Sequence, residues 1–131
     1  MPDELPITDA ERLVMEAVWE HAPASSRQIV EAVSAREDWQ PKTVQTLISR
    51  LVAKGMLNHR REGRRYLYTP AVARDDFLRR KSRQFVDTFF RGRITPLVAA
   101  FAEAESISPE DLEALRNFVD SLDEPDGEGR A

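Results

Sequence analysis

Residues Trp39 to Tyr68 read WQPKTVQTLISRLVAKGMLNHRREGRRYLY. Pro41 suits the first turn of a helix, and Gly55 supplies a left-handed stop, so the spacing predicts a helix from Pro41 to about Lys54. At about 100° per residue, Leu47, Ile48, Leu51 and Val52 fall within about 80° of Val44 and form the core face. Lys42, Thr46, Ser49, Arg50 and Ala53 take the opposite side, with Gln45 at its margin. The period then changes. Leu57 to Glu62 and Arg65 to Thr69 are predicted strands flanking a Glu-Gly-Arg turn, in which Gly63 can adopt a positive φ. Tyr66 and Tyr68 share one face of the second strand, Leu67 takes the other, and Pro70 ends the ladder.

The outward helix face holds small or hydrogen-bonding side chains and two cations, with no acid among them. Hydroxyls and Gln45 suit base edges in a major groove, and Lys42 or Arg50 suits guanine or phosphate. Arg60, Arg61, Arg64 and Arg65 surround the turn with one carboxylate, Glu62, between them. Such a cluster suits phosphate neutralisation with release of counterions. Charged edges also discourage strand addition, but lysine would serve that purpose as well, and an all-arginine set favours phosphate contact. The implied partner is double-stranded DNA.

Working outward, the formal net charge of −4 divides unevenly along the chain. Residues 1–35 hold two basic and seven acidic side chains, residues 36–93 fifteen and six, and residues 94–131 two and ten. The middle is therefore strongly basic between acidic flanks, which concentrates positive potential beside the helix and hairpin. Cysteine is absent, which excludes disulfides, thiolate metal sites and a cysteine nucleophile. No run approaches the ~20 apolar residues of a membrane span, and the start carries no secretory signal pattern, so a cytoplasmic location without membrane insertion is expected. His21 and His59 share no metal-ligand spacing, no glycine-rich phosphate loop is present, and Ser25-Ser26 reads as a helix cap. Neither a cofactor nor an enzymatic activity is predicted.

Before the central stretch, Thr8 or Asp9 caps a first helix ending near His21, with Glu11 in its first turn and Leu13, Val14, Ala17 and Val18 as its stripe. Ser25 or Ser26 caps a second helix carrying Ile29, Val30 and Val33. Three short helices and a hairpin within about 70 residues make a winged helix-turn-helix. Beyond it, helices are predicted over Ala73–Phe90, Ile94–Glu105 and from Ser108-Pro109 to Leu122. Arg79, Arg80, Lys81 and Arg83 form a second basic cluster, suited to DNA flanks or to a solvated face. Phe85, Phe89, Phe90, Leu97, Phe101, Leu112, Leu115, Phe118, Val119 and Leu122 give these helices apolar faces too small for a core of their own. A second copy of the chain is the simplest cover. The fold expected is mainly α with a small β-hairpin: a winged-helix head over residues 1–70, a helical dimerisation region over 71–122 and a disordered acidic tail over 123–131.

The chain resembles the penicillinase-repressor family of bacterial transcription regulators, of the BlaI/MecI type, with the copper-responsive CopY repressors as relatives. The residues carrying the resemblance are Glu16-Ala17-Val18-Trp19, Trp39-Gln40-Pro41-Lys42-Thr43-Val44-Gln45-Thr46-Leu47, Arg50-Leu51, Lys54-Gly55 and Gly63-Arg64-Arg65-Tyr66-Leu67-Tyr68. It is dense over residues 8–70 and looser to about 122. It implies a homodimer on a palindromic operator overlapping a promoter, with DNA contacts at Lys42, Thr43, Thr46, Arg50, Arg64 and Arg65. In the beta-lactam branch a membrane-bound zinc metalloprotease sensor leads to cutting at an Asn-Phe bond. The matching place here is Ala100-Phe101, with alanine where that branch has asparagine. The cysteine-rich metal site of the copper branch has no counterpart. The competing expectation is a winged-helix protein-interaction module whose basic face grips an acidic protein.

Overall fold

Thr8 opens the first helix with a reciprocal cap. Its hydroxyl accepts from the Glu11 amide at 3.1 Å, and the Glu11 carboxylate accepts from the Thr8 amide at 2.8 Å. Such a capping box satisfies two otherwise orphaned donors. The computed structural model describes residues 7–123, and most of the acidic tail expected at 123–131 lies outside them. The element order is α1 (Asp9–His21), β1 (Ala24–Ser25), α2 (Ser26–Ser34), α3 (Pro41–Ala53), β2 (Leu57–Glu62), β3 (Arg65–Pro70), α4 (Arg74–Phe90), α5 (Ile94–Glu103) and α6 (Pro109–Leu122).

Three details differ from the sequence expectations. Ser25 caps α2 through a second capping box with Gln28, but Ala24 and Ser25 also pair with Tyr68 and Leu67. The hairpin is therefore part of a three-stranded antiparallel sheet of order β1-β3-β2. A two-residue strand carries too little periodicity to show in sequence. Pro70 lies within β3 opposite Leu57, at the end of the strand, where a missing N–H is tolerated. Helix α5 closes at Glu103, because Glu105 turns into the left-handed region at φ 56°.

The chain divides into two compact units between Gln84 and Phe85, inside α4, whereas the sequence predicts a boundary at residue 70. Phe77 accounts for the difference. It is buried against the winged-helix core, with its ring 5.2 Å from Trp19. The start of α4 is further held by an ion pair from Arg74 to Glu16 at 3.0 Å. The core of this first unit contains Val14, Met15 and Val18 from α1, Ile29 and Val33 from α2, and Val44, Leu47, Ile48 and Leu51 from α3. Met56 and Leu57 extend it toward the sheet, and Leu67 of β3 is buried as well.

The second unit is different in character. Neither α5 nor α6 buries a single residue. Phe89 is 67% exposed, Phe118 60% and Phe101 51%. The Phe85 ring lies tilted against those of Phe89 and Phe90, at 5.0 and 5.9 Å. A groove of about 510 Å³ runs between α5 and α6, lined by Leu97, Val98, Phe101, Ile107, Leu115 and Phe118 among others. Monomeric soluble proteins rarely leave so much contiguous apolar surface open to water.

Candidate nucleic-acid interface

Helix α3 begins at Pro41 without a side-chain cap; the Gln40 carbonyl receives the Thr43 and Val44 amides instead. Its outward face is as the phasing predicts, and Thr43, which the phasing leaves out, is exposed as well. Lys42, Thr43, Gln45, Thr46, Ser49, Arg50 and Ala53 are all exposed, while Val44, Leu47, Ile48 and Leu51 are buried. Val52 is half-buried. No acidic side chain of any element forms an ion pair with Lys42 or Arg50 among the described residues. Both cations are therefore available to an external anion.

The C-terminal end of α3 is built with more care than the sequence suggests. Lys54 is the C-cap and Gly55 follows at φ 80°. The Gly55 amide donates to the Val52 carbonyl and the Met56 amide to the Leu51 carbonyl, at 3.0 and 2.9 Å. This pair of bonds is a Schellman motif, and it needs the left-handed residue that glycine supplies without strain. Lys54 then reaches across to α1, where its ammonium lies 2.7 Å from the Glu11 carboxylate. Glu11 is 1% exposed. Burial pushes its carboxyl up, but the hydrogen bond from Lys54, that from the Thr8 amide and the Lys54 charge outweigh it, leaving Glu11 below its ordinary value. From sequence, Glu11 is expected only to favour the helix dipole, since a partner 43 positions away carries no local signal.

The wing is a two-residue turn, Gly63-Arg64, between the paired Glu62 and Arg65. Gly63 takes φ 65°, the glycine-first geometry that matches strand twist in short hairpins. Register distributes three of the four arginines over two faces. Arg61 lies opposite Tyr66, its guanidinium 5.7 Å from the ring centroid, and its Nε donates to the Gly63 carbonyl at 3.3 Å. Arg60 and Arg65 share the other face with Glu62, at 3.8 and 3.9 Å. These pairs are exposed and long, so they hold neither arginine firmly. Arg64 stands at the turn itself.

His59 belongs to this wing as well. It is exposed, and its ring meets Tyr66 edge-on at 5.0 Å and Tyr68 at 5.9 Å, which stiffens the hairpin. Burial, with Tyr66 nearby, pushes the Tyr68 phenol up. In the second basic cluster, Arg79 pairs with Asp76 at 2.7 Å and Lys81 lies over the Phe77 ring at 5.9 Å. Those two serve α4 itself. Among the described residues no group of three or more His, Cys, Asp or Glu could hold a metal ion. No helix among them is long and apolar enough to cross a membrane.

A helix-turn-helix whose third helix shows water an acid-free, cation-bearing face, flanked by an arginine-rich wing, defines a DNA-binding transcriptional regulator. A family model described as penicillinase repressor matches residues 7–121. The chain belongs to the penicillinase repressor family. The penicillinase repressor of Bacillus licheniformis is 35% identical over 114 residues, covering 87% of this chain and 89% of that one. The methicillin resistance regulatory protein MecI of Staphylococcus aureus strain N315 is 34% identical over 113 residues, covering 86% and 92%. A solution structure of Bacillus licheniformis BlaI, in monomeric form in complex with the blaP half-operator, is 40% identical. It covers 55% of this chain and 88% of that chain, with a TM-score of 0.49.

Proposed function

We propose that this DNA-binding transcriptional repressor acts in the cytoplasm as a homodimer on a palindromic operator, with no catalytic activity of its own. Each protomer lays α3 in a major groove, where Thr46, Ser49, Gln45 and Arg50 meet base edges and Lys42 and Thr43 meet the backbone. The wing arginines Arg60, Arg61, Arg64 and Arg65 neutralise phosphates beside that groove. The observation that carries this reading is the exposed face of α3, where seven side chains include two cations and no acid. Two-fold symmetry in the protein then demands two-fold symmetry in the site.

The dimer is supported by the apolar faces of the second unit, where Phe85, Phe89, Phe101, Leu112, Phe118, Val119 and Leu122 are exposed large hydrophobics. Phe90, Leu97 and Leu115 are half-buried within the protomer and complete the face. Relief of repression through a membrane-bound metalloprotease sensor would act at Ala100-Phe101, both exposed on α5 in the protomer. Incubation with the sensor's protease, followed by mass measurement, tests it: fragments ending at Ala100 support cutting, and an intact chain excludes that bond.

Selection from a random duplex pool tests the main reading. Enrichment of an inverted repeat, its half-sites one helical turn or a multiple apart, is the expected result. Failure to enrich any duplex, with capture of an acidic protein instead, would replace it by a protein-docking role for the same basic face.

A further inference from the structure

We propose that Glu11 is a positioning residue for the recognition helix, fixing through Lys54 the height at which α3 meets DNA; this rests on the DNA-binding reading above. The apolar face of α3 presses on the core through Val44, Leu47, Ile48 and Leu51. Such contacts are strong but non-directional, and they tolerate small sliding along the helix axis. At its start, α3 has no side-chain cap. The bond from Lys54 to Glu11, at 2.7 Å, is a directional restraint on its other end.

Glu11 is suited to this because it is buried and bonded to the backbone. Its Oε1 accepts from the Thr8 amide at 2.8 Å, and its own amide donates to the Thr8 hydroxyl. The carboxylate is thus pinned to the backbone at the start of α1. The Schellman turn at Gly55 fixes where Lys54 leaves the helix, so both ends of the bridge are set by backbone. Between them runs a rigid link from the α1 N-terminus to the α3 C-terminus. The same helix carries Thr46 and Arg50 one to two turns earlier, and their reach to base edges depends on where that end is held.

The test compares Glu11→Gln and Lys54→Met with Ile29→Val, a core change on α2 that perturbs stability without touching the bridge. Glu11→Gln keeps the shape and the acceptor for Thr8 while removing the charge. Affinity for the duplex enriched from a random pool and for an unrelated duplex of equal length is measured at fixed salt, with circular dichroism confirming a folded protein. The expected result for Glu11→Gln is about a tenfold loss on the enriched duplex, on the scale of one lost base contact, with little change on the unrelated one. Amide exchange should quicken in Leu51–Lys54 and not in the wing. An unchanged ratio of the two affinities in folded Glu11→Gln, or exchange that quickens as uniformly as in Ile29→Val, would overturn the proposal. Should the unaltered protein enrich no duplex, the DNA reading falls by itself and the exchange pattern decides the role of Glu11.

Discussion

The indole N–H of Trp19 donates to the carbonyl of Val72 across 2.9 Å, joining α1 to the segment that leaves the wing. The same indole packs on Phe77, so one residue of the first helix fastens the start of α4 by a polar and an apolar contact. Replacing Trp19 by phenylalanine keeps an aromatic ring but removes the donor and part of the packed surface, at a cost of about 1–3 kcal/mol. Phe77→Ala, which empties a fully enclosed site, should cost about 3–5 kcal/mol. Urea unfolding of the two variants checks the order; equal losses would show that α4 contributes no packing to the first unit.

Acid should weaken the protein through Glu11. Its carboxyl lies below the ordinary value in the folded state, so it contributes stability above the unfolded value of about 4.3, lost as pH falls through the folded value. Thermal melts from neutral pH downward should show this acid limb, and Glu11→Gln should flatten it. Lys54→Met should be the more damaging of the two changes. It strands a carboxylate that is 1% exposed, whereas the Lys54 side chain, 34% exposed, can turn to water when Glu11 is lost.

Helix α5 ends in the same hydrogen-bond pattern as α3, but with a glutamate in the left-handed place. The Glu105 amide donates to Ala102 and the Ser106 amide to Phe101, with Glu105 at φ 56°. A side chain there costs roughly 1 kcal/mol that glycine avoids. Glu105→Gly should raise the melting temperature, whereas Gly55→Ala, at the matching place after α3, should lower it.

The recognition helix was legible because its burial repeats along a continuous run: the residues within about 80° of Val44 are those the core takes, apart from the half-buried Val52. The wing was legible from Gly63 and its flanking strands. What stayed hidden depends on partners distant in sequence. Strand β1 exists because Ala24 and Ser25 find Tyr68 and Leu67. The burial of Phe77 follows from Trp19, and that of Glu11 from Lys54. The distribution of the arginines over two faces of the wing follows from register, which composition does not reveal.

The exposed phenylalanines of the second unit should govern assembly. Phe118→Asp places a charge on a side chain that is 60% exposed in the protomer, where it disturbs little. In a dimer the same charge would be buried without a partner. Sedimentation should therefore show the variant as a monomer with an intact winged-helix unit, and operator affinity should fall with the lost second half-site. A variant that sediments as the unaltered protein does would remove α6 from the interface.

A wing that grips phosphate beside a helix that reads bases is tested most directly by salt dependence. Operator binding is titrated by mobility shift over a range of salt for the unaltered chain and for Arg64→Gln with Arg65→Gln. Loss of two phosphate contacts should flatten the logarithmic salt slope by about 2 for each bound protomer, and weaken operator and unrelated DNA alike. A double variant whose slope matches that of the unaltered protein would contradict the account.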